Sequence, residues 1–381
     1  MTPYFKIELI TNEKNFLALK DEWNSLLKDS SADNIFLTWE WISTWWNCFK
    51  HDQQLWIVVL RSTGSSKQLL GLAPLLLHKS SLIPGKLPSH RELAFIGANE
   101  IAPDHLDFII RNGYEEKVLA AILKYIQSDK TWDILRLDAL ASNSSLAKHF
   151  LKHANSLSVH IDPSKGYILR LPDSWPKYQS GLGKNLRKNL KRYSRQLEND
   201  YPGQVVLSYA SNEHEIKEAL QFLFEQASNN LQEQGKRYSL NVEKLQDFHF
   251  RIANSLFLQN WVRIYLIVVG KEYISVLYCF RYNNTISDYQ TTFNSSWKNY
   301  RPGQLILAHS IEQAIKEKIQ VYDFLRGEHP YLDQWTNETT IDYYIKMGNT
   351  LKGRMLVFLY TVLQVRFWIY DLRDKFLKRT S

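Results

Sequence analysis

The chain is poor in the residues that build covalent or metal frameworks. Its 381 residues hold two cysteines, Cys48 and Cys279. Two distant thiols exclude a disulfide scaffold, and they lack the spacing of metal ligands. No metal is expected. The uncharged run of the tail, Met355 to Val365, falls short of the about 20 residues that cross a bilayer. The opening "MTPYFKIELITNEKNF" lacks the apolar core of a signal peptide. Acid is scarcer than base, at 39 Asp and Glu against 47 Lys and Arg, a net charge of +8. That excess favours anionic partners such as phosphates, acidic lipid or nucleic acid. A reducing, cytoplasmic setting follows from the cysteine usage.

What is present points to a folded enzyme-sized chain. Hydrophobic residues make up 44% and charged residues 23%, as in globular proteins. The length predicts two domains rather than one small module. Asn12 can cap a helix over 13–28, where Phe16, Leu19, Trp23, Leu26 and Leu27 share a face, and Thr38 can start "WEWISTWWNCF". Strands read at "LWIVVLR", "LLGLAPLLL", "RELAFIG" and "HLDFII", a helix at 114–128, and a strand at "WDILRLDAL". The later half repeats the order: strands at 262–270, 273–281 and 285–293, a helix from Pro302 to Lys318, then "VYDFLRG". "KTWDILRLDAL" and "IQVYDFLRGEH" hold equivalent places, which predicts an internal duplication. A loop-rich stretch at 154–181 is the expected link. The expected domains are 1–165, 166–350 and a basic amphipathic helix over 351–381.

Charge is concentrated. "KNLRKNLKRYSR" (184–195) carries six Lys and Arg and no acid, while Leu182, Leu186, Leu190, Tyr193 and Leu197 recur at helical spacing. A solvated face is the plain reading, and a phosphorylated or lipid-linked ligand the functional one. Nucleic acid is disfavoured, because aromatic interleaving and a known binding module are both missing. In the tail, Arg354, Arg366, Trp368 and Tyr370 flank the apolar run, a pattern of helices lying at an interface. Docking onto the protein's own core is the first expectation, with weak peripheral contact with the inner face of the membrane as the functional alternative.

Two loops carry chemistry. In "SSWKNYRPGQLILAHS", Pro302 suits a first helical turn. Free N–H groups at Gly303, Gln304 and Leu305, with Arg301 beside them, would make an anion site. In "VYDFLRGEHPYLDQW" a buried strand ends in Arg326, Gly327, Glu328 and His329. In open α/β sheets that end is where ligands bind.

Taken together, the three strands, "YRPGQLILAHS", its helix and "VYDFLRGEHPYLDQW" resemble the GNAT acyltransferase core. "FLTWEWISTWW" and "GLGKNLRKNLKRYSRQLE" make the chain similar to the CelD/BcsL-type branch, linked to polysaccharide biosynthesis. The likeness covers most of residues 30–345. It implies a mixed-sheet α/β fold of two tandem GNAT-like domains, the first of them degenerate. It implies an acyl-CoA donor, acetyl-CoA first, with its diphosphate at Arg301, Pro302, Gly303, Gln304 and Leu305. The pantetheine arm would run past Gln290 and Thr291, where two parallel strands splay. An amine or hydroxyl of a polar, glycan- or envelope-related acceptor would then attack the thioester directly. Glu328 is the first choice of base and His309 the second. Arg326 would hold an anionic acceptor or orient Glu328, and Tyr289 or Tyr331 would protonate the thiolate. Strand alternation places Ser287, Tyr289 and Thr291 on one face, with Asp288 and Gln290 on the other. Where the family often has Lys after its Tyr, this chain has Leu332 after Tyr331. Two rivals remain: a FemABX-like transferase using aminoacyl-tRNA, and a non-catalytic partner of a glycan synthase.

Overall fold

The computed structural model describes residues 5–377 except 65–66, 82–87, 99, 155, 234–241 and 328–329. The chain divides into two compact units, Met1–Ser164 with Ile341–Ser381, and Lys165–Thr340.

Unit 1 begins with β1 (Phe5–Ile10), α1 (Glu13–Leu17), α2 (Lys20–Lys28) and α3 (Trp39–Phe49). The helix expected over 13–28 is broken in two, although its apolar face is buried as read. Asn12 and Thr38 act as the expected caps, accepting from the Asn15 and Trp41 N–H groups. Then come β2 (Gln53–Ser62), β3 (Leu69–Ser80), β4 (His90–Phe95), the two-residue β5 (Ile109–Ile110), α4 (Glu115–Ser128), β6 (Ile134–Ala141) and α5 (Ser145–Lys152). Strand β7 (Val159–Arg170) passes into unit 2 at Lys165.

Unit 2 continues with α6 (Trp175–Gly181), α7 (Lys184–Asp200), β8 (Val205–Tyr209), α8 (Glu213–Glu233), α9 (Val242–Phe257), β9 (Val262–Val269), β10 (Glu272–Tyr282), β11 (Thr285–Phe293), α10 (Pro302–Lys316) and β12 (Val321–Arg326). Strand β13 (Glu338–Gly348) returns the chain to unit 1, where α11 (Leu351–Leu377) follows.

The expected duplication is visible in strand order. In unit 1, β1, β2, β3 and β4 are antiparallel neighbours, β4 lies parallel to β6, and β6 is antiparallel to β13. In unit 2, β8, β9, β10 and β11 repeat the antiparallel run, β11 lies parallel to β12, and β12 is antiparallel to β7. The loop-rich link expected at 154–181 is a correction: it holds β7 and α6. Pro163 and Gly166 read as loop formers, yet Gly166 serves close packing. A Cβ there would stand 2.6 Å from Thr340 Oγ1 and 3.1 Å from the Leu325 carbonyl oxygen.

The two units differ where their parallel strands meet. In unit 1 the pairing ends at Ala94–Arg136. Leu106 then takes the next place on β6, donating its N–H to the Ala139 carbonyl at 3.0 Å and bridging to Leu140. In unit 2 the pairing ends at Ser287–Asp323. Among the described residues no isolated bridge continues the β11 side of β12 beyond it, while β7 still pairs with Arg326 on the other side.

Because β12 packs directly on Gly166, Gly166→Ala should destabilise the protein by about 1–3 kcal/mol through overpacking. Thermal unfolding reads this. An unchanged midpoint would mean that β12 gives way freely at Leu325.

Candidate active site

Backbone irregularities on both strands create the parting of β11 and β12. Opposite β10, Tyr278 faces Gln290 and Cys279 faces Asp288, so Tyr289 is an inserted residue, a β-bulge. On β12 the register against β7 shifts between Asp323 and Arg326. Leu325 sits there at φ +60, left-handed backbone that a branched side chain rarely takes. The Asp323 carboxylate accepts the Leu325 N–H at 2.8 Å and holds that turn. A second strained residue, Arg301, stands at φ 51, ψ 51 as the N-cap of α10. Strain of this kind gathers at functional positions.

The bulge corrects the expected faces of β11. Thr291 does not share a face with Tyr289. Its hydroxyl lies 3.5 Å from the Asp288 carboxyl, whereas the Tyr289 ring packs among Tyr278, Phe280 and His249. Simple alternation fails past an inserted residue, because every later side chain changes side.

Asp288 lies at the closed end of the gap. The buried Tyr322 hydroxyl is 2.8 Å from Ser310 Oγ of α10, 3.5 Å from Asp288 Oδ2 and 4.0 Å from Cys279 Sγ. Asp288 keeps some surface, but protein packed around its carboxyl raises its pKa to about 7. Hydrogen bonds from Thr291 and Tyr322 oppose that rise, and the like charge of Asp323 adds to it. Tyr331 lies close enough that burial, with the Asp288 charge, pushes its phenol up to about 12. A carboxylate poised near neutrality and a phenol held protonated are a base and an acid.

The start of α10 forms a second cluster. Correcting the expectation of three free amides, Gln304 and Leu305 both donate to the Arg301 carbonyl, at 2.9 and 3.3 Å, closing a tight first turn. Pro302 has no N–H to offer, which leaves that of Gly303. Gln304 Oε1 is buried with no hydrogen-bond partner, but as an acceptor it adds nothing for an anion; only its Nε2 amide could donate. Two guanidiniums converge on the Tyr193 hydroxyl of α7: Arg192 at 2.6 Å, and Arg301. Burial alone would raise this phenol, but the two arginines hold it below its usual value. Like-charged groups around one oxygen, beside an exposed amide, suit a diphosphate.

The remaining expected residues fall as follows. Gln290 is half-buried on β11 after the bulge, and Arg326 is half-buried at the end of β12. His309 is not brought to this group. It stands edge-on to Tyr265 of β9, two strands from β11, and lines a separate hollow of about 500 Å³ with Gln313 and Tyr273. Burial lowers its pKa. Glu328 lies outside the described residues, as does His329. Sequence reasoning missed Asp288, Tyr322, Ser310 and the pairing of Arg192 with Arg301. The one available signal was an Asp inside a strand of otherwise neutral residues, a disfavoured placement.

Residues 184–332, all within unit 2, match the family model described as acetyltransferase (GNAT) domain. This stretch is similar to that family, and its fold is GNAT-like. No curated protein matches the chain. Among solved structures, FemX superposes with a TM-score of 0.58 at 9% identity, over 89% of this chain and 96% of that one. A conserved protein of unknown function from Bacteroides thetaiotaomicron gives a TM-score of 0.54 at 13% identity, over 90% and 100%. The C-terminal domain of a putative lysylphosphatidylglycerol synthetase from Agrobacterium fabrum gives 0.50 at 7%, over 91% and 97%. At such identities the likeness shows the fold, which is the mixed-sheet GNAT-like architecture expected. The CelD/BcsL-type branch has no counterpart among these matches.

Two measurements test the clusters. A Cβ on Gly303 would meet only Phe293 ring carbons at 3.7 and 4.0 Å, so Gly303→Leu should keep the fold. It should abolish acetyl-CoA binding by calorimetry, and unchanged affinity would remove the loop from the donor site. For Asp288 the folded pKa lies above the ordinary carboxylate value. Its contribution to stability is therefore complete at acid pH and lost as pH rises through about 7. Asp288→Asn should raise the melting temperature at pH 8 more than at pH 4; an equal effect at both would refute the shift.

Proposed function

We propose that the protein is an acyl-CoA-dependent acyltransferase whose working site is the gap between β11 and β12. The observation that carries this reading is the juxtaposition of Asp288 and Tyr331 at a strand parting whose other flank leads to the α10 start. The donor, acetyl-CoA in the first instance, brings an activated thioester. The Gly303 N–H, Gln304, Arg301 and Arg192 bind its diphosphate, and Gln290 and Thr291 border the arm. The GNAT match over 184–332 supports this class of donor.

The chemistry needs a proton removed at one end and supplied at the other. The acceptor is an amine or hydroxyl of a polar molecule, glycan- or envelope-related. Its nitrogen or oxygen attacks the thioester carbon while Asp288, ionised above about pH 7, takes its proton. Collapse breaks the carbon–sulfur bond, and the departing thiolate takes a proton from Tyr331. The raised pKa keeps Tyr331 protonated until then. Arg326, at the end of β12, holds an anionic group of the acceptor. Glu328 remains a second carboxylate for the acceptor side.

The fold shared with FemX keeps one rival in view, a transferase that takes its acyl group from aminoacyl-tRNA. Release of free coenzyme A thiol, as opposed to free tRNA, separates the two. Acetyl-CoA should give binding heat and a thermal shift. The absence of both would sink the proposal and favour a non-catalytic partner.

In thiol-release assays, kcat/KM should climb with pH through about 7 and level off above it. Asp288→Asn should lower kcat by about 10²–10⁴-fold, the usual worth of a positioned base, while acetyl-CoA affinity stays within error. A pH limb that survives this substitution would assign the base elsewhere, with Glu328 next.

A further inference from the structure

Helix α11 has two apolar faces, and unit 1 uses one. Gly353 lies so close to β6 that a Cβ would collide with the Asp133 carbonyl, and Leu356 and Val357 are buried against Ile134. On the opposite side, Leu351, Met355, Phe358, Leu359 and Val362 form a stripe at helical spacing. Their exposures run from 41 to 77%. A soluble helix that has docked one face needs no second apolar face, and contiguous exposed apolar surface marks an interaction site.

A hollow of about 550 Å³ in unit 1 adjoins this stripe, sharing Arg354 with the helix. Arg354 is three residues from Leu351 and four from Phe358, so it flanks the stripe. The hollow is also lined by Lys130, His149, His153, Ser156 and Ser158, and by no carboxylate among the described residues. Lys130 Nζ donates only to neutral oxygens, the Gln127 carbonyl at 2.8 Å and Asn349 Oδ1 at 2.9 Å. The His149 and His153 rings lie 4.7 Å apart. Burial lowers the His149 pKa, and the nearby His153 and Lys152 charges lower it further. Lys130 and Arg354 thus bring two fixed positive charges, and the imidazoles hydrogen-bonding groups, to a hollow whose described lining holds no anion, which makes a place for one.

We infer that the outward face of α11 lies on an anionic lipid surface, the stripe entering the acyl boundary while the Lys130–His149–His153–Arg354 hollow takes a headgroup phosphate. Charge selects this occupant over a second copy of the chain. Residues 351–381 carry seven Lys and Arg against two Asp, and the whole chain is +8. Two such faces repel each other, whereas acidic lipid attracts them. Among the described residues no helix is long and apolar enough to cross a membrane, so the helix lies on the surface.

The full chain is floated with vesicles of phosphatidylcholine alone and of phosphatidylcholine with phosphatidylglycerol. Binding to the anionic vesicles should be at least about tenfold tighter and should weaken with salt. Met355→Asp with Phe358→Asp should abolish it. Arg354→Glu should cost about fivefold or more. Both variants alter exposed side chains, so an unchanged melting temperature checks the fold. The inference is overturned by any of three results: no binding to either vesicle, equal binding to both, or a dimer in sedimentation that the double variant dissolves. Calorimetry with acetyl-CoA is independent of all three, so the acyltransferase reading stands or falls separately.

Discussion

The candidate site in unit 2 depends on two neighbouring strands losing register after three paired residues. Parallel pairing of β11 with β12 holds through Ser287–Asp323 and then stops. Inserting Tyr289 turns one strand aside, and a left-handed residue at Leu325 turns the other. Both irregularities cost ladder hydrogen bonds, and a non-glycine residue in left-handed backbone costs about 1 kcal/mol or more. Local contacts offset part of this. Asp323 caps the Leu325 amide, and the buried Tyr322–Ser310 pair ties β12 to α10 at the closed end. Unit 1 shows the alternative. There Leu106 pairs with β6 in the equivalent place, and the first turn of α4 carries Glu115 and Glu116. The same strand order thus gives a filled seam in one unit and a parting in the other.

A raised carboxyl pKa does not by itself mark a site. Asp107 of unit 1 is also pushed to about 7 by burial. Its carboxyl is engaged by Ser144 and by the Phe108 N–H, so it serves its own loop. Asp288 differs in its surroundings. It sits at the strand parting, its hydroxyl partners stand on one side, and Tyr331, half exposed at 53%, stands near it. The burial that brings the Asp288 pKa near neutrality also makes its ionised form a cost to folding. Placing a carboxylate there is the kind of local conflict that functional sites keep.

Much of the fold was legible because it rests on periodicity and punctuation. Thr38, Asn12 and the Arg301-Pro302 step mark helix starts by hydrogen-bond chemistry, and the repeated strand–helix–strand order survives in the topology. Strand β7 was hidden for a physical reason. Pro163 and Gly166 normally argue against a strand, and only the closeness of Leu325 and Thr340 explains the glycine. The candidate base was hidden by the bulge, which has no compositional mark and reverses the side on which each later residue falls. In the tail, apolar residues surround the helix, so sequence alone could not say which face docks. The contact of Gly353 with Asp133 decides it.

The basic helix α7 reconciles the two readings that its sequence allowed. Leu186, Leu190 and Leu197 are buried, and most of its Lys and Arg side chains are exposed, as a solvated face requires. Arg192 is exposed like the others, but it and Arg301 meet at the Tyr193 hydroxyl beside the start of α10. Two guanidiniums brought together repel unless an anion joins them. The α10 start is short of donors by itself, since a tight turn consumes two of its amides. The arginine from α7 makes up that deficit with charge. Leu332 fits the same economy: it is buried in the core of unit 2. A Lys there would have to leave that core to reach a ligand. In the proposed site, the charge for an anion therefore comes from the helices that flank the sheet, and the strands β11 and β12 carry Asp288 and Arg326.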